Sequence, residues 1–400
     1  MKIVYIQSSY KPNDLVGNWF AETKKYCRST GGDAYIAIKF THRATQPGDI
    51  VVGDSVSCGI HVRMFDYFGI QDMLSHRATG KFLKRLDEIH PDIIHCHVIN
   101  DCFLNMGMLC DYVNRHHIKV IWTFHDSRVL TGMCACPCYT GCNQWKKECR
   151  TCPREERVVS PRHEWTNRVS WVHRYRKKHI GGIQNLTIVA PSRWMKSMVS
   201  RSYLQNKNCV VINNGINHEI FHPVASDIRE QYHIPKGRKI LLSVGNPIWK
   251  LKGRDYLLRL IQELPEDYYV VMVGCLPSDV EALKSQGNVL ALPRIDRDQL
   301  VQFYSAADIF VNPTLADNFP TVNLEAQACG APVVAFDSEG TRETVSPDGG
   351  TVVDRMNYDA LKDAILDFKY EGSREKSIRF AQGYSQDAVI SEYIKLYESL

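Results

Sequence analysis

Short runs rich in β-branched and aromatic residues alternate along the chain with longer amphipathic ones, and this alternation constrains the fold more than any other feature. Residues 2–7, 92–97, 119–124, 186–190 and 209–213 read as strands, with helices such as 81–89 and 103–115 between them. That order predicts a doubly wound α/β domain with a mostly parallel sheet, and it argues against a repeat array or a β-sandwich. A polar, proline-containing stretch at 218–228 interrupts the periodicity and reads as a linker. Beyond it a second series begins, with strands expected at 239–244, 269–274, 289–292, 309–311 and 332–336. Two similar domains with a cleft between them follow. Ligands of open α/β sheets bind beyond the carboxyl ends of the strands, so functional residues belong in the loops after these runs.

Four hundred residues, 44% of them hydrophobic and 23% charged, suffice for two full cores and exclude a disordered tail or a disulfide mini-protein. The longest apolar stretch, 268–276, falls far short of the roughly 18 residues a membrane span requires, and the chain starts on a strand rather than a signal peptide. A cytoplasmic protein is expected. The net charge of +5 is unevenly placed: residues 146–178 hold eleven Lys/Arg against four Glu, a local +7 that leaves −2 for the rest.

In the second half, the strand at 309–311 runs into Asn312-Pro313-Thr314, then Asp317-Asn318-Phe319-Pro320-Thr321-Val322-Asn323-Leu324-Glu325, then a segment closed by Gly330 before the strand 332–336. Pro320 suits a first helical turn and Gly330 a helix end. The amides of that helix start favour an anionic or hydroxylated ligand. Asp317 in the loop and Glu325 about one turn into the helix can flank one ligand; a helix cap and a salt-bridged helix residue are the plainer alternative. The stretch resembles the donor-binding signature of the retaining glycosyltransferases of family 4, which have the two-domain GT-B fold. It is most similar to the branch that builds exopolysaccharide and colanic-acid-type sugars.

The resemblance extends over essentially the whole chain and implies roles residue by residue. Glu325 would hydrogen-bond the ribose of the donor nucleotide, and Asp317 with Asn318, Phe319, Pro320 and Thr321 would contact the donor sugar. Gly245 ends the first strand of the second domain; Lys252, with Lys250 as a helper, would neutralise the diphosphate, where a fixed ammonium stabilises the departing charge. His125, at the end of the strand 119–124, would lie beside the donor sugar, so the catalytic set is His125, Asp317 and Glu325. Gly17, with Asn18 in the loop after the first strand, would let backbone approach the diphosphate. His95 and His97 also end a strand and stay unassigned. Asp296-Arg297-Asp298 spells a metal-binding string of another transferase fold, but Asp296 reads better as a helix cap, and no catalytic divalent ion is expected.

Six of the fourteen cysteines fall between positions 134 and 152, and Cys149 and Cys152 have the spacing that lets two thiolates clasp one tetrahedral ion. The resemblance selects Cys134, Cys142, Cys149 and Cys152 as ligands of a structural zinc, with Cys136 and Cys138 extra or alternative; an iron-sulfur cluster or unligated thiols are the other readings. Trp165, Val169, Val172 and Tyr175 follow at helical spacing amid Arg168, Arg174, Arg176, Lys177 and Lys178. This stretch is either a packed helix with a solvated basic face or a contact for anionic lipid headgroups or a lipid-linked diphosphate. No nucleic-acid reader module accompanies it.

The expected architecture is an acceptor-side Rossmann-like domain at 1–215 carrying a cysteine-rich metal insertion at 131–153, and a nucleotide-sugar domain at 216–383. A final helix at 384–400 is expected to pack back on the first domain. The expected activity is sugar transfer from a nucleotide-sugar to a saccharide, lipid-linked, during exopolysaccharide, capsule or O-antigen-type synthesis at the inner face of the membrane. A same-fold nucleotide-sugar epimerase and a zinc-stapled binding module are the rivals.

Overall fold

The computed structural model describes residues 1–9, 15–41, 46, 48–152, 168–245 and 250–400, with Leu15 and Lys250 described by backbone alone. The chain divides into two compact units, Met1–Ile212 with Ile390–Leu400, and Asn213–Val389.

The first unit holds β1 (Lys2–Gln7), β2 (Asp33–Lys39), β3 (Ile50–Val52), β4 (Ile93–Cys96), β5 (Lys119–Thr123), β6 (Leu186–Ala190) and β7 (Asn208–Val211). They form one sheet in the order β3-β2-β1-β4-β5-β6-β7, parallel throughout. The second holds β8 (Lys239–Val244), β9 (Tyr268–Val273), β10 (Val289–Leu292), β11 (Ile309–Asn312), β12 (Val333–Asp337) and β13 (Thr351–Asp354), in the order β10-β9-β8-β11-β12-β13, again parallel. Both are Rossmann-like doubly wound sheets. Strand β9 is buried along its whole length, as are β4 and β11. Both faces covered by helices is what near-continuous apolar strands require.

Strands β2, β3 and β13 are absent from the sequence expectation. β2 spends three of its seven positions on aspartate and alanine, poor strand formers; β3 has only three residues; β13 is a partly exposed edge strand of four. In each sheet the strand order reverses once, between β1 and β4 and between β8 and β11. Loops diverge at such a reversal and open a crevice at the carboxyl ends, which fixes where each unit can hold a ligand.

Candidate active site

In the second unit the reversal brings together the loops after β8 and β11. Gly274, just beyond β9, has φ +96°, and a Cβ there would stand 2.0 Å from the Gly245 carbonyl oxygen, so only glycine permits this approach to the end of β8. Residues 246–249 lie outside the described part, and the chain re-enters in a short 3-10 turn, Lys250–Lys252. Gly253 follows with φ +76°, and its missing Cβ makes room for the Pro313 carbonyl, 2.1 Å from where that carbon would sit. The Leu251 carbonyl accepts from Leu315 N–H at 2.7 Å and from the Thr314 hydroxyl at 3.1 Å. The lysine-bearing turn is thereby riveted to the loop after β11.

That riveting sets the charges. Lys252 Nζ reaches Asp317 Oδ2 at 2.7 Å, while Asp317 Oδ1 accepts the backbone N–H of Phe319 at 3.2 Å. Two residues 65 apart in sequence thus form one ion pair at the loop, both still part-exposed. Asn318, Phe319 and Pro320 are buried and lead into the helix Thr321–Ala328, with Pro320 at its N-cap. One turn in, Glu325 is half-buried; desolvation raises its carboxyl above the usual range, opposed by hydrogen bonds from Tyr304 and Thr321. The Tyr304 hydroxyl, wholly buried, donates to Glu325 Oε2 at 3.2 Å.

Sequence reasoning missed what holds this helix. Asn312 Nδ2 donates to Asn323 Oδ1 (2.7 Å), Asn323 Nδ2 to Thr344 Oγ1 (2.9 Å), and Gln327 Nε2 to the Thr344 carbonyl (2.8 Å). All but Asn312 in this chain are fully buried, so every polar group needs its partner. The signal was present: Asn323 and Gln327 are four apart on an otherwise apolar helical face. At the other end Gly330 has φ +96° and lies against the Arg374 guanidinium, which donates to the Cys329 carbonyl at 3.1 Å and covers the helix terminus. Asp296 caps the helix Arg297–Ala306 by accepting Gln299 N–H at 2.8 Å.

In the first unit His125 lies just beyond β5, half-buried, with Nε2 3.0 Å from Nδ1 of His97, which follows β4. Burial pushes His125 down to about 4, partly offset by Asp126. Asp126 itself caps the turn Ser127–Leu130 and binds the Arg128 guanidinium at 2.6 Å. Gly17 and Asn18 do not lie in a loop: they belong to the helix Leu15–Ser29. Val16, Trp19 and Phe20 bury one face of that helix, and this outweighs the roughly 1 kcal/mol one glycine costs there.

The zinc expectation is corrected. Among the described residues no group of three or more His, Cys, Asp or Glu side chains could hold a metal ion. None of the fourteen cysteines forms a disulfide. Cys134, Cys142, Cys149 and Cys152 do line one small cavity, but with Met133, Trp145 and Val169, and burial pushes the Cys134 thiol up to about 12 and Cys149 up to about 11. Metal ligation needs thiolates, and burial holds the Cys134 and Cys149 thiols protonated.

Hydrogen bonds pin the excursion instead. Arg176, fully buried, donates to Asp72 Oδ2 at 2.7 Å, to Gln71 Oε1 at 2.8 Å and to the carbonyls of Arg128, Thr131 (3.0 Å) and Gly132 (3.3 Å). Gly132 N–H in turn donates to Cys149 Sγ at 3.3 Å. Arg176 therefore leaves the basic face, which keeps Arg174, Lys177 and Lys178 exposed; Trp165 lies outside the described residues.

Comparison with known proteins agrees with the geometry. Residues 27–220 match Glycosyltransferase Family 4, and residues 224–383 match Glycosyl transferases group 1. The chain is a glycosyltransferase of the GT-B fold. It is 24% identical over 327 residues to the putative colanic acid biosynthesis glycosyl transferase WcaC of Escherichia coli K12, covering 78% of this chain and 77% of that one. A D-inositol 3-phosphate glycosyltransferase of Mycolicibacterium smegmatis is 30% identical over 218 residues, half of each chain. Among solved structures, sucrose-phosphate synthase from Thermosynechococcus elongatus superimposes with a TM-score of 0.70 at 18% identity, covering 100% of this chain and 98% of that one. HepE of Anabaena, in complex with UDP and glucose, gives 0.67 at 15%, covering 100% of both. Neither the epimerase nor the zinc-stapled module survives beside this transferase.

Proposed function

We propose that this glycosyltransferase moves a sugar, with retention, from a nucleotide-sugar to a hydroxyl of a growing lipid-linked saccharide in exopolysaccharide, capsule or O-antigen-type synthesis. The observation that carries the reading is the second unit's constellation: Lys252 paired to Asp317 in the loop, and Glu325 held by Tyr304 one turn behind a helix start. The Lys252 ammonium and the helix amides stabilise the diphosphate as the glycosidic C–O bond breaks and negative charge gathers on the leaving oxygen. The acceptor hydroxyl bonds to the anomeric carbon from the same face and gives its proton to that oxygen. No carboxylate nucleophile is required; Glu325 binds the ribose and Asp317 the sugar. The complexes of HepE with UDP and with UDP-glucose, and the colanic-acid relative, support the donor class and the pathway class.

A peripheral membrane contact accompanies this reading. No helix among the described residues is long and apolar enough to cross a membrane. The helix Ser55–Phe68 nevertheless exposes Val56, Ile60, Tyr67 and Phe68, with Arg63 on the same side. Its Phe65 joins a cluster with Val169 and Val172 of the helix Val169–His179, whose outer side carries exposed Trp171, with Arg168 on its ring, and Arg174, Lys177 and Lys178. Apolar side chains beside basic ones suit an anionic bilayer surface.

A thermal-shift panel of UDP-, GDP-, ADP- and dTDP-sugars on the wild type and Glu325→Ala tests the donor reading. One nucleotide class should stabilise the wild type and not the variant. Stabilisation by none, or of both alike, overturns it.

A further inference from the structure

The first unit gathers three imidazoles at the head of its sheet, His95 and His97 fully buried and His125 half-buried, and the proposed function uses only His125. We propose that His97 is a positioning residue that keeps the single hydrogen of the His125 ring on Nδ1, so that His125 serves transfer as a hydrogen-bond donor and not as a base. The inference rests on the reading of His125 as a substrate-side residue.

One hydrogen occupies the 3.0 Å contact between His97 Nδ1 and His125 Nε2. Burial drives both rings below the ordinary histidine range, His97 furthest, so each is neutral at pH 7 and has one N–H and one lone pair. Suppose the shared hydrogen sat on His125 Nε2. His97 would then carry its own on Nε2, an atom with no hydrogen-bond partner among the described residues. Beside it, with ring centroids 5.8 Å apart, stands Trp19, whose buried indole N–H is also unpartnered and can only donate. Two buried donors would face no acceptor, the costly kind of orphan. With the hydrogen on His97 Nδ1, Nε2 presents a lone pair near the indole N–H instead. His125 Nε2 then accepts, its lone pair is occupied, and its hydrogen is on Nδ1.

Packing prevents the His97 ring from turning over to escape this choice. It stacks on Tyr5 at 5.5 Å and 15° and on His95 at 4.2 Å. His95 is fixed at both nitrogens, 2.8 Å from the Tyr397 hydroxyl and 2.9 Å from Thr123 Oγ1. Tyr397 reaches on to the Tyr5 hydroxyl at 2.6 Å, and Tyr393 to Thr123 at 3.1 Å. Two tyrosines four apart near the end of the chain thus brace the histidines from behind.

The test is nuclear magnetic resonance of the ligand-free full chain with ring-15N histidine, the His125 signals being those lost in His125→Gln. Long-range proton–nitrogen correlations should show His125 protonated on Nδ1; protonation on Nε2 in the wild type overturns the proposal. His97→Asp places an acceptor where Nδ1–H stood and should move the His125 hydrogen to Nε2, with turnover down about tenfold or more. His97→Asn restores a donor there and should recover both the Nδ1–H signature and most of that turnover. Equal losses in the two variants with an unchanged tautomer would reduce His97 to a packing residue. Because the spectrum is read without substrate, its outcome is independent of the nucleotide-sugar panel: a wrong tautomer sinks this inference alone, and a silent panel sinks the donor reading alone.

Discussion

The two units use the same sheet design to build sites of opposite kind. In the second, most of the working residues come from one contiguous stretch, Asn312 to Gly330, joined by a turn at Lys250–Lys252, and its charges are paired at a part-exposed loop. In the first, Tyr5, Trp19, His95 with His97, His125, and Tyr393 with Tyr397 arrive from five places in the chain and form a largely buried cluster kept uncharged. A site made of charge can be assembled locally, because a helix start and one loop supply it. A buried site needs every neighbour to exclude water, and those neighbours come from the whole sheet.

The largest effect should come from removing the first unit's only described cation that is paired at full burial. Arg176→Met leaves Asp72, 2% exposed, without its counter-charge and takes one donor away from each of three carbonyls. Breaking such a pair costs about 3–5 kcal/mol. Urea unfolding followed by tryptophan fluorescence reads it, since six of the seven tryptophans lie within residues 1–212. The double variant with Asp72→Asn should regain part of the loss; if the single variant costs under about 1 kcal/mol, the pair is not what pins the cysteine-rich excursion.

The corresponding change in the second unit should spare stability and strike turnover. Lys252→Ala removes a part-exposed ion pair, whose contribution to folding is at most about 1 kcal/mol, but also the fixed charge proposed to stabilise the diphosphate. A fall in kcat/KM of about 10²–10³-fold is expected, with the unfolding midpoint nearly unchanged. A variant that unfolds early yet turns over normally would invert the comparison.

The same contrast explains what could be read from the sequence. Ten of the thirteen described strands, the loop-helix-turn at Asp317–Gly330 and the Asp296 cap were legible because each depends on residues within about twenty positions, where strand, cap and glycine signals act. His125 was legible only as an isolated histidine at a strand end. Nothing local joins it to His97, 28 positions earlier, or His95 to Tyr397, 302 positions later. The cysteine spacing misled for the converse reason: a local pattern suggested metal, while a distant arginine and burial determine how that segment is held. Gly17 was misplaced because one glycine reads as a loop signal, and the burial of Trp19 that makes the segment helical is a property of the folded sheet.

Acid should separate the units next. Burial lowers His95 to about 3, His125 to about 4 and His97 further, so the native first unit binds fewer protons than the unfolded chain below pH 6.5. Stability is then present above the unfolded value and is lost as pH falls from 6.5 toward 4, by about 1.4 kcal/mol per pH unit for each such histidine. In the second unit Glu325 acts with the opposite sign: its raised carboxyl binds a proton more tightly when folded, so lowering the pH toward that value relieves a cost. Denaturant titrations at pH 7, 6 and 5 should show the tryptophan-reported transition weakening. His97→Asn should flatten that dependence by about one proton. An unchanged slope would mean that the cluster admits protons or water.

The smallest effect tests the brace behind the histidines. Tyr397→Phe keeps the ring, which is 2% exposed, and deletes only the hydroxyl that lies 2.8 Å from His95 Nδ1 and 2.6 Å from the Tyr5 hydroxyl. Two buried partners lose a neighbour, but Tyr5 retains Thr23 at 2.9 Å and His95 retains Thr123, so a loss of about 1 kcal/mol is expected rather than the larger cost of a wholly orphaned group. Because His95 contacts His97 only through its ring face, the His125 tautomer should survive this change while the unfolding midpoint drops slightly. A tautomer that shifted in Tyr397→Phe would show that the orientation of His97 is set by hydrogen bonds passed along from the chain's last helix and not by the stacking that holds it between Tyr5 and His95.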